Sequence, residues 1–145
     1  MRRIQRDSAH EELVKTLTTG DVAIFKEIWR LMLFASSVGI AHGKRKPLKN
    51  VDSGKNIPDS YFGTPAWPGY LHLLGITETG GSEILHGTEK NQEIVITAFE
   101  EYANAGLEII GAKIKEASTP LDALSIVLLE SQQQNASAPT LEELI

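Results

Sequence analysis

The apolar residues near the start of the chain fall at helical spacing, first as a narrow stripe and then as a wide one. Leu13, Val14 and Leu17 follow Ser8-Ala9-His10-Glu11, which has the S-x-x-E form of a capping box, and together they predict a short helix over about 8–18. Thr19-Gly20 is a stop signal, and Asp21 is placed to cap a second helix. In that second helix Phe25, Ile28, Trp29, Met32 and Ala35 keep the i, i+3, i+4, i+7 rule, and Leu31, Leu33 and Phe34 make its later turns apolar almost all round. The pattern predicts a central, largely buried helix over 22–38, ending near Gly39, with Lys26, Glu27 and Arg30 on its wet face.

The periodicity then stops. Glycine at 43, 54, 63 and 69 and proline at 47, 58, 65 and 68 exclude a continuous helix over about 40–68. Tyr61, Phe62, Trp67 and Tyr70 argue that this loop is ordered and held to the helices by its aromatic rings, rather than forming a base-stacking platform. A short helix is expected from Tyr70 to Ile76, stopped by Gly80-Gly81, with one further turn expected at Ser82–Leu85. Thr88 is the candidate cap of a long helix reaching about Ala117, whose apolar face holds Ile94, Val95, Ala98, Phe99, Tyr102, Leu107, Ile110 and Ile114. Gly106 and Gly111 inside it each cost about 1 kcal/mol against alanine, which points to close packing on a neighbouring helix. Ser118-Thr119-Pro120 starts a last helix through Leu121, Leu124, Val127 and Leu128. A polar linker over 132–139 and an acidic, apolar segment, Thr140 to Ile145, follow, and the latter is suited to docking on its own domain or on a partner. The expected architecture is all-α: one compact domain over 1–134 with about five helices and one long ordered irregular loop, then a linker and tail over 135–145.

Composition changes this picture mainly by exclusion. The chain has 145 residues and no cysteine, so disulfides, thiolate zinc sites and thiol nucleophiles drop out, and a reducing cytoplasm fits. His10, His42, His72 and His86 are too far apart to suggest a metal site, and no cofactor is expected. No apolar run approaches the roughly 20 residues needed to span a bilayer, and no apolar core backs Arg2, Arg3 and Arg6, as a secretory signal would require. The net charge of -5 divides unevenly, +5 over residues 1–55 and -10 over 56–145. Either the two ends attract each other or the basic end faces a polyanion.

Candidate chemistry centres on His42-Gly43-Lys44-Arg45-Lys46-Pro47-Leu48-Lys49. Four cations, Lys44, Arg45, Lys46 and Lys49, lie within six residues in a loop anchored by the most buried helix, and backbone phosphates are their natural target. Arg2, Arg3 and Arg6 would add auxiliary charge. The alternative is a solvated loop balancing the acidic half. The glycines here do not make a phosphate-binding P-loop, since the spacing fails and Arg45 stands where Ser or Thr would bind magnesium. Glu100 and Glu101 project about 100° apart on their helix and cannot share a metal, so they read as a wet helix edge. Asp52, Asp59 and Glu83 with Lys90 form no set by spacing, and no G-x-S-x-G elbow is present, so no catalysis is expected.

Five segments together resemble the family of small proteins called Dnd system-associated protein 4: Phe34-Ala35-Ser36-Ser37-Val38-Gly39, Lys44-Arg45-Lys46-Pro47-Leu48, Ile57-Pro58-Asp59-Ser60-Tyr61-Phe62, Glu83-Ile84-Leu85, and Phe99 through Leu107. The resemblance covers about residues 10–115, departs at Ala105 where the family usually has glycine, and leaves the last helix and tail unmatched. Such proteins are encoded beside genes for DNA phosphorothioation and restriction. The resemblance therefore implies an accessory role in that defence system. The expectation is a non-catalytic protein touching DNA backbone, or a DNA-bound complex, through Lys44, Arg45, Lys46 and Lys49. A protein–protein adaptor or oligomerisation module without DNA contact is the alternative. DNA, other proteins of the system and a second copy of the chain are the partners this reading admits.

Overall fold

The computed structural model describes residues 2–21, 23–58 and 69–135. Among them are five α-helices and no strand: α1 (Glu11–Thr18), α2 (Ile28–Ala41), α3 (Tyr70–Thr79), α4 (Glu89–Glu116) and α5 (Pro120–Asn135). The expected all-α class and helix number hold.

The long helix α4, about 42 Å at 1.5 Å per residue, is the spine. Thr88 caps it, its hydroxyl accepting from the Asn91 amide at 3.2 Å. Helices α2, α3 and α5 all pack on α4, and α1 packs on α2. Leu31, Met32 and Leu33, three consecutive residues of α2, are all buried, so that helix is enclosed on nearly every side, as its wide apolar stripe predicts. Ile96, Phe99, Leu107 and Ile110 of α4 complete the centre.

The α2–α4 crossing depends on missing side chains. A Cβ on Gly39 would stand 2.1 Å from the Tyr102 carbonyl oxygen, and one on Gly106 would stand 1.8 Å from the Ala35 carbonyl oxygen. Each glycine therefore receives the backbone of the other helix, which explains Gly106 within α4. Gly111 meets only the Leu13 side chain at 3.6 Å, an ordinary contact, so the close-packing expectation holds for one of the two glycines.

Both boundaries of α2 differ from expectation. It begins at Ile28 rather than residue 22, because the amides of Ile24 and Phe25 turn back to the Leu17 carbonyl and hold this stretch over the end of α1. Asp21 consequently caps nothing, and extended Glu27 is the N-cap residue. At the other end the helix passes Gly39 and closes at Ala41 with a Schellman arrangement: Gly43, at φ 63°, donates to Ile40 and Lys44 donates to Gly39. Gly39 serves packing, and Gly43 serves termination.

The predicted capping box at Ser8 is also corrected. Buried Asp7 is the cap, its Oδ1 accepting from the Ala9 amide at 2.9 Å, and Ser8–His10 form a 3-10 turn ahead of α1. The last helix starts as expected, with Thr119 Oγ1 accepting from the Asp122 amide at 3.1 Å, but it absorbs residues 132–135 of the expected linker. The irregular segment 43–58 is tied to the N-terminal strip by two isolated antiparallel bridges, Ile4 with Ile57 and Asp7 with Val51. Tyr61, Phe62 and Trp67 lie outside the described residues, as does the segment 140–145. Tyr70 packs edge-on against Phe99 with ring centroids 6.1 Å apart, as a core aromatic should.

Candidate functional site: the basic loop and its acidic clamp

The loop leaving α2 runs back along α4. The Lys46 amide donates to the Glu101 carbonyl at 3.1 Å, and Asn104, buried in the middle of α4, donates from Nδ2 to the carbonyls of Lys46 and Pro47 at 3.0 and 3.3 Å. On its other side Asn104 Oδ1 lies 2.8 Å from His10 Nε2. One mid-helix asparagine thus ties the loop and the N-terminal turn to the spine. Asp7 holds the far end of the loop, with Oδ2 accepting from the Lys49 amide at 2.8 Å. Burial pushes the Asp7 carboxyl upward, but the amides of Lys49, Ala9 and Asn50 outweigh it and hold the group below its ordinary value.

These backbone ties bring the loop cations against carboxylates. The Arg45 guanidinium pairs with Glu78 of α3 and, at 3.2 Å, with Glu101 of α4, and lies 5.4 Å from the centre of the Tyr102 ring. Tyr102 in turn donates its hydroxyl to Glu78 at 2.7 Å. Partial burial works against the Arg45 charge, but Glu78 and Glu101 overcome it and raise its pKa. Lys46 pairs with Glu108, and that pairing holds the Glu108 carboxyl below its ordinary value.

Two of the auxiliary arginines are engaged as well. Arg2 grips Glu100 with both terminal nitrogens at 2.8 Å and reaches Glu93 at 2.8 Å, and Glu100 also accepts from the Gln5 amide. The Glu100 hydrogen bonds in particular raise the Arg2 pKa. Glu100 is only 4% exposed, which corrects its reading as a wet helix edge: it anchors the N-terminal strip. Arg6 is buried, donating to the Lys55 carbonyl at 2.6 Å and pairing with Glu11 at 3.2 Å.

Of the seven candidate cations, Arg2, Arg6, Arg45 and Lys46 are therefore ion-paired inside the molecule. Arg3, Lys44 and Lys49 are exposed and form no ion pair among the described residues. The structure does not gather all seven into one open patch. Sequence reasoning missed the partners Glu78, Glu101, Glu108 and Asn104. A signal for three of them was available, since Glu93, Glu100, Glu101, Asn104 and Glu108 recur along one side of the long helix, and asparagine is a poor mid-helix residue without a tertiary bond.

Among the described residues no three His, Asp or Glu side chains converge as a metal site would need, and no helix is long and apolar enough to cross a membrane. Fold and surface together define a small helical domain whose most conspicuous charges are consumed in holding its own loop. The chain belongs to the family of DNA sulphur modification system-associated protein 4, whose family model matches residues 3–144. That match takes in the last helix and nearly all of the tail, beyond the span of the resemblance read from the residues. No curated protein and no solved structure matched the chain.

Proposed function

We propose that this chain is a non-catalytic accessory protein that serves its DNA sulphur modification system by contacting another protein of that system through the outer face of α5. One observation carries this reading. Helix α5 buries Ala123, Leu124 and Val127 against the fold yet exposes three leucines beyond that stripe: Leu121 and Leu128, 64% and 49% exposed, along its flank, and Leu129, 61% exposed, on the far side beside Asp122 and Ser125. Exposed leucines grouped on one helix mark an interaction surface. The family's description as system-associated supplies the kind of partner.

DNA-backbone contact is a second reading, supported by Lys44, Lys49 and Arg3, which are exposed and form no ion pair among the described residues. With three cations instead of seven, binding would be weak, and the slope of log affinity against log salt would be about -3. Salt separates the two readings. A contact made by leucines should survive high salt, whereas phosphate contact is lost with it. The test is calorimetric titration of the chain into the modification proteins, and separately into duplex DNA, at rising salt. Salt-insensitive binding to protein with weak, steeply salt-dependent binding to DNA supports the adaptor. Tight DNA binding without protein binding overturns it.

A further inference from the structure

The acidic, apolar segment Thr140-Leu141-Glu142-Glu143-Leu144-Ile145 is not accounted for by the proposed function. We propose that it docks intramolecularly in the pocket between the α1–α2 connection and the outer side of α2. That pocket, about 390 Å³, is lined by Ile24, Phe25, Leu33 and Phe34, with Lys26 and Arg30 at its edge. The rings of Phe25 and Phe34 meet in its wall at a 46° tilt, with centroids 5.5 Å apart.

Charge selects this pocket. The segment offers three large apolar side chains and two adjacent carboxylates, so its acceptor needs an apolar floor and a basic edge. Lys26 has no ion pair among the described residues, and Arg30 has there only one, the loose, exposed contact to Glu27 at 3.6 Å, with its guanidinium 5.0 Å from the centre of the Trp29 ring. Three other pockets fit less well. In the cleft beside Trp29, Arg6 and Lys55 are already paired with Glu11, and Glu27 lines the wall. The groove between α1 and α4 carries Glu12 and Glu108 beside His10 and Lys115. The pocket at the start of α4 has only polar lining, including Glu89 and Glu93. The outer face of α5, apolar but flanked by Asp122 and Glu130, would repel Glu142 and Glu143.

The distance can be covered. Ser131, in the last turns of α5, lies 3.4 Å from His42, which closes α2. From His42 back to Phe34 is eight helical residues, about 12 Å. Residues 132–135 carry α5 about 6 Å beyond Ser131, so the path from Asn135 to Phe34 is about 18 Å, and the six residues from 136 to Leu141 span up to about 20 Å when extended. The family match runs through residue 144 and so takes in all of the segment but Ile145.

The absence of cysteine makes the test direct. A nitroxide on Ala138→Cys in the full chain should broaden the amide signals of Phe25, Lys26, Arg30, Phe34 and Ser37. Lys26→Glu with Arg30→Glu should remove that broadening, and adding Glu142→Lys with Glu143→Lys should restore it. A merely unfolded pocket would not be rescued in this way. Broadening confined to α5, uniform weak broadening, or broadening seen only on an unlabelled second copy mixed with the spin-labelled chain would each overturn the proposal. None of these outcomes bears on the leucines of α5, so this test and the adaptor test can fail independently.

Discussion

Helices α2 and α5 both carry large apolar residues beyond the face they turn to α4, yet only in α2 are they enclosed. In α2 the residues Leu31, Met32 and Leu33 point in three directions and all find cover. In α5 the residues Val127, Leu128 and Leu129 also point in three directions, and only Val127 is buried. The difference comes from neighbours. Helix α2 lies between α4, α1 and α5, whereas α5 packs on α4 and α2 and has no described helix on its outer side. A wide apolar stripe therefore reports that a helix will be covered, but not whether its own chain supplies the cover.

The sharpest way to break this comparison is to truncate each helix in turn. Met32→Ala should cost about 2–5 kcal/mol in denaturant unfolding, the range for an enclosed core side chain. Gly39→Ala should cost about 1–3 kcal/mol or more, because the atom it would strike is backbone and cannot rotate away. Leu129→Lys, by contrast, should shift stability by no more than about 0.5 kcal/mol, as for an exposed site. A shift of core size at Leu129 would mean that its face is already covered within the chain.

What was legible in the sequence follows the same division. Element type was readable wherever periodicity ran for several turns, as in α2 and α4, and the Thr88 and Thr119 caps were readable from their local chemistry. The start of α2 was not, because Ile24 and Phe25 continue the apolar spacing while their amides are taken by Leu17, a tertiary bond that no helical period encodes. The cap at Asp7 was missed because Ser8 fits the same motif one residue later, and only the distant Lys49 amide decides between them. The charge of the loop was legible but its use was not. Whether Arg45 and Lys46 face solvent or α4 depends on the Schellman turn at Gly43 and on Asn104, which send the loop back along the long helix. The charge asymmetry did carry the answer in coarse form, as attraction between the two ends of the chain.

A second contrast sets the paired cations against the open ones. Glu78→Gln, Glu101→Gln and Glu108→Gln together should free Arg45 and Lys46 and strengthen DNA binding at low salt. The salt slope should steepen by up to about two, from about -3. An unchanged slope would show that the loop cannot present these charges even when unpaired. The smallest effect expected is on acid stability. Asp7, Glu11, Glu93 and Glu108 all have depressed pKa values in the folded chain. Their stabilisation is present above the unfolded-state values near 4 and is lost as pH falls through the depressed folded values. Asp7→Asn should make that acid limb shallower in a pH series of thermal melts, and an unchanged limb would show that Asp7 contributes nothing to it.

The central claim is that α5, rather than the basic loop, connects this protein to its system. The most direct measurement is co-purification of the DNA sulphur modification proteins with three forms of the chain: wild type, Leu128→Lys with Leu129→Lys, and Lys44→Ser with Lys49→Ser and Arg3→Ser. The account predicts that the modification proteins are lost with the leucine variant, which stays folded, and are retained at wild-type level with the loop variant. Retention with the leucine variant and loss with the loop variant would contradict it.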